Sequence, residues 1–410
     1  MTPMDRQGLL DASVIAARSL RANIRDVAGP DGRQRRLVVA GPGQFGSVWT
    51  RDFAWSVEGL LLAGEDRAVR DTLDALLSAQ RPDGLLPRLI DTRWPWARFA
   101  RAVLKGRLDL RAPLVPNFRS DQLVHAFDAN ALLVWAACEY ALRRDELAWA
   151  GLVLPRLEAA LGWYAAHEVD GLVRQPPCSD WKDKLKARRG AVFYTNLARW
   201  KAATSVAALY AALGRRTAAA EAESAAKAMA RRLERAFWDL DGGYYRDTDA
   251  SALYSSDGNL AAVVWGLADD ARASKALRAL DRLGLWTPWG PRASQRYPAG
   301  QKSWLSRLAG IPGYHDDGVW LWNSALALDA LARTGRAAHH ARLAAAVAGL
   351  LKSEGAAGEV YHPETGRPLS GLLYRAESPF TWSSAMLLAS LTRAAAPFAP
   401  AGGPAALETA

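Results

Sequence analysis

The sequence predicts an all-α fold, an (α/α)6 toroid of six helical hairpins with short β segments in its loops. Three observations point to it. Ala/Leu-rich segments with apolar residues three and four apart recur along the whole chain. Turns as short as Ala63-Gly64-Glu65-Asp66 and Thr334-Gly335-Arg336 join successive segments, which makes antiparallel hairpins. Acidic and aromatic residues gather in the longer loops. In a closed ring alternate loops converge on one rim, so distant segments build one funnel, which an open solenoid of the same helices would not do.

Taken in order, the apolar spacing predicts helices near residues 4–24, 53–64, 66–80, 125–143, 146–167, 192–214, 217–238, 258–267, 270–283, 316–334, 337–353 and 380–395. Strand-like runs are few: Arg36–Ala40, Gly243–Arg246 and Gly358–His362. No period is strict enough for a helical repeat array. The 410 residues would allow two or three domains at ~100–200 residues each, but one ring uses them all. Residues 1–396 are expected to form a single domain and 397–410, rich in Pro, Gly and Ala, a flexible tail.

Composition excludes several classes. With 50% hydrophobic residues the chain buries enough apolar surface to offset the entropy of ordering. Cys138 and Cys178 cannot make a disulfide framework, and no CxxC pair suggests zinc. Charged residues interrupt every apolar run before the ~20 residues a membrane helix needs. The N-terminal stretch reads as an amphipathic helix rather than a secretory signal, so a cytoplasmic protein without a membrane partner is expected. The net charge of +10 invites a nucleic-acid reading. The arginines of AARSLRAN, AKAMARRLERAF and KALRALDRL, however, recur opposite Ala and Leu, as on a solvated outer helix face. No clustered basic stripe or nucleic-acid module is present, so no such partner is expected.

Five loops carry the chemistry. In Trp49-Thr50-Arg51-Asp52-Phe53-Ala54-Trp55 an Arg-Asp pair is flanked by indoles, which suits a sugar: its C–H faces stack on aromatics and its hydroxyls need polar partners. Asp52, at a helix entry, reads equally as a cap. Val124-His125-Ala126-Phe127-Asp128-Ala129-Asn130 opens another helix, where Asp128 is a natural N-cap. Cys178-Ser179-Asp180-Trp181-Lys182-Asp183-Lys184 sets two carboxylates about a Trp, with Arg188 and Arg189 following; Asp180 is a candidate turn cap. A carboxyl that donates a proton near neutral pH needs burial to raise its pKa, and neighbouring cations lower it unless they point away. The fourth loop holds Tyr314-His315-Asp316-Asp317-Gly318-Val319-Trp320-Leu321-Trp322. The fifth spans Gly358-Glu359-Val360-Tyr361-His362-Pro363-Glu364 and continues to Phe380-Thr381-Trp382. His315 and His362 lack the spacing of a metal-binding pair, so no metal is expected.

Together the strings WTRDFAW, DWKDKLKARRGAVFYTN, YHDDGVWLWNSALAL and EVYHPETGRPLSG…SPFTWSSAM, in that order, resemble the (α/α)6-barrel glycoside hydrolases. The similarity is to bacterial amylo-α-1,6-glucosidase-like proteins, mannosylglycerate-hydrolase-like enzymes of the processing α-glucosidase group and the alkaline/neutral invertases. It runs from about Phe45 to about Leu388. The resemblance implies Asp183 as general acid, with Asp180 the near alternative, and Glu359 as general base. It implies that Arg51, Asp52 and Asp128 hold the sugar, and that Trp49, Trp181, Tyr314, His315, Trp320 and Trp382 line its pocket. Many relatives carry Ser where this chain has Lys184.

The implied reaction is inverting hydrolysis of an α-glycosidic bond in a small glycoside or oligosaccharide end. Asp183 protonates the leaving oxygen while Glu359 deprotonates the attacking water. No cofactor is needed. The cations from Lys182 to Arg189 read as a solvated loop, or else as a seat for an anionic leaving group. The alternatives are a sugar epimerase or isomerase on the same toroid, using His125, His315 and His362, and a non-catalytic carbohydrate-binding protein.

Overall fold

The computed structural model describes residues 3–29, 32–93 and 110–396. The expected tail at 397–410 lies outside the described residues. Among the described residues, twelve helices of ten residues or more follow one another: α1 (Pro3–Arg21), α2 (Thr50–Leu62), α3 (Asp66–Ser78), α4 (Ala129–Arg143), α5 (Leu147–Gly162), α6 (Phe193–Ala212), α7 (Arg216–Phe237), α8 (Ser256–Trp265), α9 (Asp270–Arg282), α10 (Leu321–Arg333), α11 (Ala337–Glu354) and α12 (Thr381–Ala395).

Odd and even helices differ in composition because they occupy different layers. α9 buries Ala273, Ala276, Leu277, Ala279 and Leu280, one stripe at helix spacing, and turns its charged side chains outward. α7 buries only Ala226, Leu233 and Phe237 and exposes Arg231, Arg232 and Arg235, part of the basic surplus. The even helices are apolar nearly all round, as α10 is from Leu321 to Leu328, and are buried on every side. Each even helix packs on the next, α2 on α4, α4 on α6, α6 on α8, α8 on α10, α10 on α12 and α12 back on α2, so the ring closes. The α2–α12 contact depends on Gly59, since a Cβ there would overlap the backbone of Ala385.

Short β ladders sit just before the even helices and form one rim. Val48–Trp49 pairs with Leu89–Ile90, and the strand Leu89–Thr92 pairs in turn with Leu114–Asn117. Val319 pairs with Tyr361 and Trp320 with Val360, which brings the fourth and fifth loops together. The expected helix starts shift accordingly. The residues read as helix from 316 to 320 are turn and strand, because Trp320 is committed to the Val360 ladder and α10 begins at Leu321. Likewise α4 starts at Ala129, and residues 163–167 tighten into a 3-10 turn after α5. No helix among the described residues is long and apolar enough to cross a membrane.

Candidate active site

The even helices present their first turns to the rim, so the residues there become the floor of a funnel. The second residue of five of them (Arg51, Tyr194, Asp257, Trp322 and Trp382) and Asp128, which precedes α4, are all buried. They lock to one another or to the loops. Arg51 donates from Nε and Nη2 to the two oxygens of Asp128, at 2.5 and 2.8 Å. Trp55 Nε1 donates to Tyr194 Oη at 3.0 Å, and Trp322 stacks on Trp382 with centroids 4.9 Å apart. Asp128 therefore does not cap its helix: both oxygens answer the guanidinium, and the structure places it behind the site wall with no exposed surface.

The third loop folds down into the ring. Trp181 Nε1 donates to Asp257 Oδ2 at 2.5 Å, and the indole meets His315, Trp320, Trp322 and Trp382 edge-on. Lys182 and Arg188 are fully buried, which overturns their reading as solvated residues. Lys182 Nζ donates to Ser255 Oγ at 2.7 Å and lies 3.8 Å from Asp257. The Arg188 guanidinium lies 3.3 Å from Asp180, 3.3 Å from Asp247 and 2.9 Å from Asp257. Three carboxylates from separate segments make burial of two cations tolerable. Asp180 Oδ1 accepts from Lys182 N at 2.8 Å, closing the turn, and Gln175 Nε2 donates to Oδ2. Burial pushes its carboxyl up to about 6 against Arg188. With 1% exposure it anchors the loop.

Asp183 faces the other way. Its side chain keeps 19% exposure, and Arg88 Nη2 donates to Oδ2 at 2.9 Å. Arg88, which sequence reasoning missed, also covers the Trp49 ring at 4.5 Å from its centroid. Burial alone would raise the Asp183 carboxyl, but Lys184, Arg88 and Arg51 together hold it well below the usual carboxylate range. Lys184 does not point wholly away; its Nζ lies 3.4 Å from Asp121.

Glu359 is the electrostatic opposite. Tyr314 Oη donates to Oε1, Tyr374 Oη to Oε2 at 2.6 Å, and Glu377 N to Oε2 at 3.0 Å. Burial pushes its carboxyl up to about 7, against these three donors. Tyr374 is a second site residue that the sequence reading did not include. Asp52 is also buried and pushed up to about 7, first by desolvation and further by Glu359, against Arg51 and Arg88. His315, stacked parallel to Trp320, is held neutral, its pKa lowered to about 3 chiefly by burial. Trp320 Nε1 donates to Tyr314 O at 2.8 Å, which fixes the tyrosine that holds Glu359. Among the described residues no group of three or more His, Cys, Asp or Glu side chains could hold a metal ion.

The arrangement joins two carboxyl groups of opposed ionisation, an aromatic wall and a polar floor. Residues 179–383 match the family described as the mannosylglycerate hydrolase MGH1-like glycoside hydrolase domain. The fold is similar to that of the GH63 mannosylglycerate hydrolase from Thermus thermophilus in complex with Tris and D-glycerate (TM-score 0.67, 19% identity, 92% of this chain and 99% of that one). It is also similar to a glycosidase variant in complex with glucose (TM-score 0.66, 17% identity, 96% and 99%). A rhamnosidase from Klebsiella oxytoca with rhamnose bound matches at TM-score 0.65 and 13% identity, over 95% of this chain and 64% of that one. No curated protein sequence matches. At these identities the structural likeness speaks for the toroid, whereas the family match spans the Asp183 and Glu359 loops together. The chain belongs to the mannosylglycerate hydrolase MGH1-like glycoside hydrolase family.

Proposed function

We propose that residues 1–396 form one catalytic domain that hydrolyses the α-glycosidic bond of a small glycoside or oligosaccharide end, with inversion. The observation that carries this reading is the setting of Glu359. Its buried carboxyl is fixed by two tyrosine hydroxyls and one amide, so it is oriented before substrate arrives and ionises near pH 7. Ionised, it takes a proton from water attacking C1; Asp183, the carboxyl with open surface, protonates the departing oxygen from the other face. Asp52 and Arg51 hold the sugar hydroxyls, and Trp49, Trp181, Tyr314, His315, Trp320 and Trp382 exclude water around it. The glucose and the D-glycerate bound in two structures of the Thermus thermophilus enzyme support a small carbohydrate substrate.

Asp183 is ionised in the empty site, so its role as donor requires a proton to be taken up as substrate displaces water beside Arg88. The ionisation states favour a second reading in which the roles are exchanged and Glu359 donates. Glycosyl fluorides separate the two, because fluoride leaves without a proton. In the first reading Asp183→Asn keeps hydrolysing the α-glycosyl fluoride while losing the natural bond, and Glu359→Gln loses both. The opposite pattern assigns the donor to Glu359. Equal, undiminished activity of both variants removes the pair from the mechanism.

A further inference from the structure

The ring has a second mouth, at the C-terminal ends of the even helices, and a cavity of about 1800 Å³, open to solvent, runs from there along α1 and α11. It exists because α8 is only ten residues long and stops at Trp265, while its neighbours α6 and α10 run further. Trp265 stacks on Trp55 with centroids 4.8 Å apart and planes within 6°, and Trp135 meets both edge-on. Trp55 is buried beneath, but Trp135 and Trp265 keep part of their surface exposed at the cavity.

Around this indole floor runs a circuit of partly solvated charges from four helices. Lys201 of α6 lies 3.7 Å from Glu139 of α4, and Arg143 of α4 bonds Glu139 at 3.0 Å and lies 3.4 Å from Glu58 of α2. Arg393 of α12 bonds Glu58 at 2.8 Å and, beyond this circuit, Asp329 of α10 at 2.7 Å. Each carboxylate of the circuit already has a cation. The cavity's side chains still offer fixed donors and acceptors beside an apolar platform, with Glu58 36% and Arg393 47% exposed.

We propose that this cavity is a second, non-catalytic saccharide site. A flat apolar face ringed by hydrogen-bonding groups is what a pyranose requires, since its C–H faces stack and its hydroxyls both donate and accept. The volume exceeds the ~300–1,000 Å³ of ordinary ligand pockets, so an oligosaccharide of several rings fits. The residues of the proposed active site lie at the opposite ends of the even helices.

The test uses the full chain carrying Asp183→Asn, labelled with fluorotryptophan and titrated with maltotriose, isomaltotriose and mannotriose. Fluorine resonances of Trp135 and Trp265, assigned from their Trp→Phe variants, are expected to shift together and saturate with at least one trisaccharide. Trp265→Ala is expected to weaken that binding tenfold or more while kcat/KM on a small glycoside, measured with Asp183 restored, stays within twofold. If Trp265→Ala fails to unfold cooperatively, Trp265→Phe replaces it. No shift at Trp135 and Trp265 with all three sugars overturns the proposal, as does a shift that neither substitution at Trp265 weakens. A chain ending at Ala396 that binds where the full chain does not assigns the cavity to the protein's own C-terminal residues and also overturns it.

Discussion

The Arg88 guanidinium lies 2.9 Å from the Asp183 carboxylate and 4.5 Å from the centre of the Trp49 ring, so one cation ties the proposed proton donor to the aromatic wall. A proton donor paired with an arginine is an ion until something changes its surroundings, and Arg88 shares that control of Asp183 with Lys184 and Arg51.

Arg88→Gln removes the nearest hydrogen-bonded cation from Asp183. Its carboxyl then moves up, because one of the cations that held it down is gone while Lys184 remains. With Asp183 as donor in the substrate complex, the alkaline limb of the kcat profile is expected to shift to higher pH. A profile whose alkaline limb stays in place means that Asp183 does not supply the proton.

Tyr374→Phe leaves Glu359 with one hydroxyl donor and one amide. A hydrogen bond to a charged acceptor is worth about 1.5–3 kcal/mol, so the carboxyl rises by about 1–2 pK units. The base must be ionised to act, hence the acidic limb moves to higher pH and activity near pH 6 falls about tenfold or more. An equal loss at every pH would instead show that Tyr374 acts only on packing.

Glu359 also links activity to stability. Its folded pKa of about 7 stands above the 4.5 of an ordinary glutamate, so folding favours the protonated form. That contribution is fully present below pH 4.5 and is lost as pH rises through about 7. At about 1.4 kcal/mol per unit, ionised Glu359 destabilises the fold by up to about 3 kcal/mol. Glu359→Gln, which cannot ionise, is therefore expected to melt a few degrees above the wild type at about pH 8 and to lose that advantage at about pH 5. A difference independent of pH contradicts the buried setting.

The Arg51–Asp128 pair is fully buried, so removing one partner strands the other. Asp128→Ala is expected to destabilise by about 3–5 kcal/mol in chemical denaturation. Replacing both by apolar residues should recover part of that loss while activity stays absent, because Arg51 also sets the potential at Asp52 and Asp183. Loss of stability without loss of activity would confine the pair to packing.

Much of this was legible in the sequence, and the gaps have a physical pattern. Helix spacing gave the twelve helices, and the aromatic and acidic loops gave the rim, since both are local properties. Asp183 and Glu359 stood out because they sit in motifs. Arg88 did not: it lies in Leu85-Leu86-Pro87-Arg88-Leu89-Ile90, an apolar run outside the five loops, and meets Asp183 only because the strand 89–92 pairs with Val48–Trp49. Tyr374 was hidden likewise in a loop without period. Lys182 and Arg188 looked solvated because their partners Asp247 and Asp257 are about 60 to 75 residues away in sequence. A loop reads as solvated when its neighbours alone are counted; the closed ring supplies the rest.

The central claim is that Asp183 and Glu359 work from opposite faces of the sugar on a water molecule. Proton NMR of the anomeric region during the first turnovers of an α-glycoside tests it most directly. The β-hemiacetal is expected to appear first, with the α-anomer growing only as the product mutarotates. First appearance of the α-anomer would contradict the account.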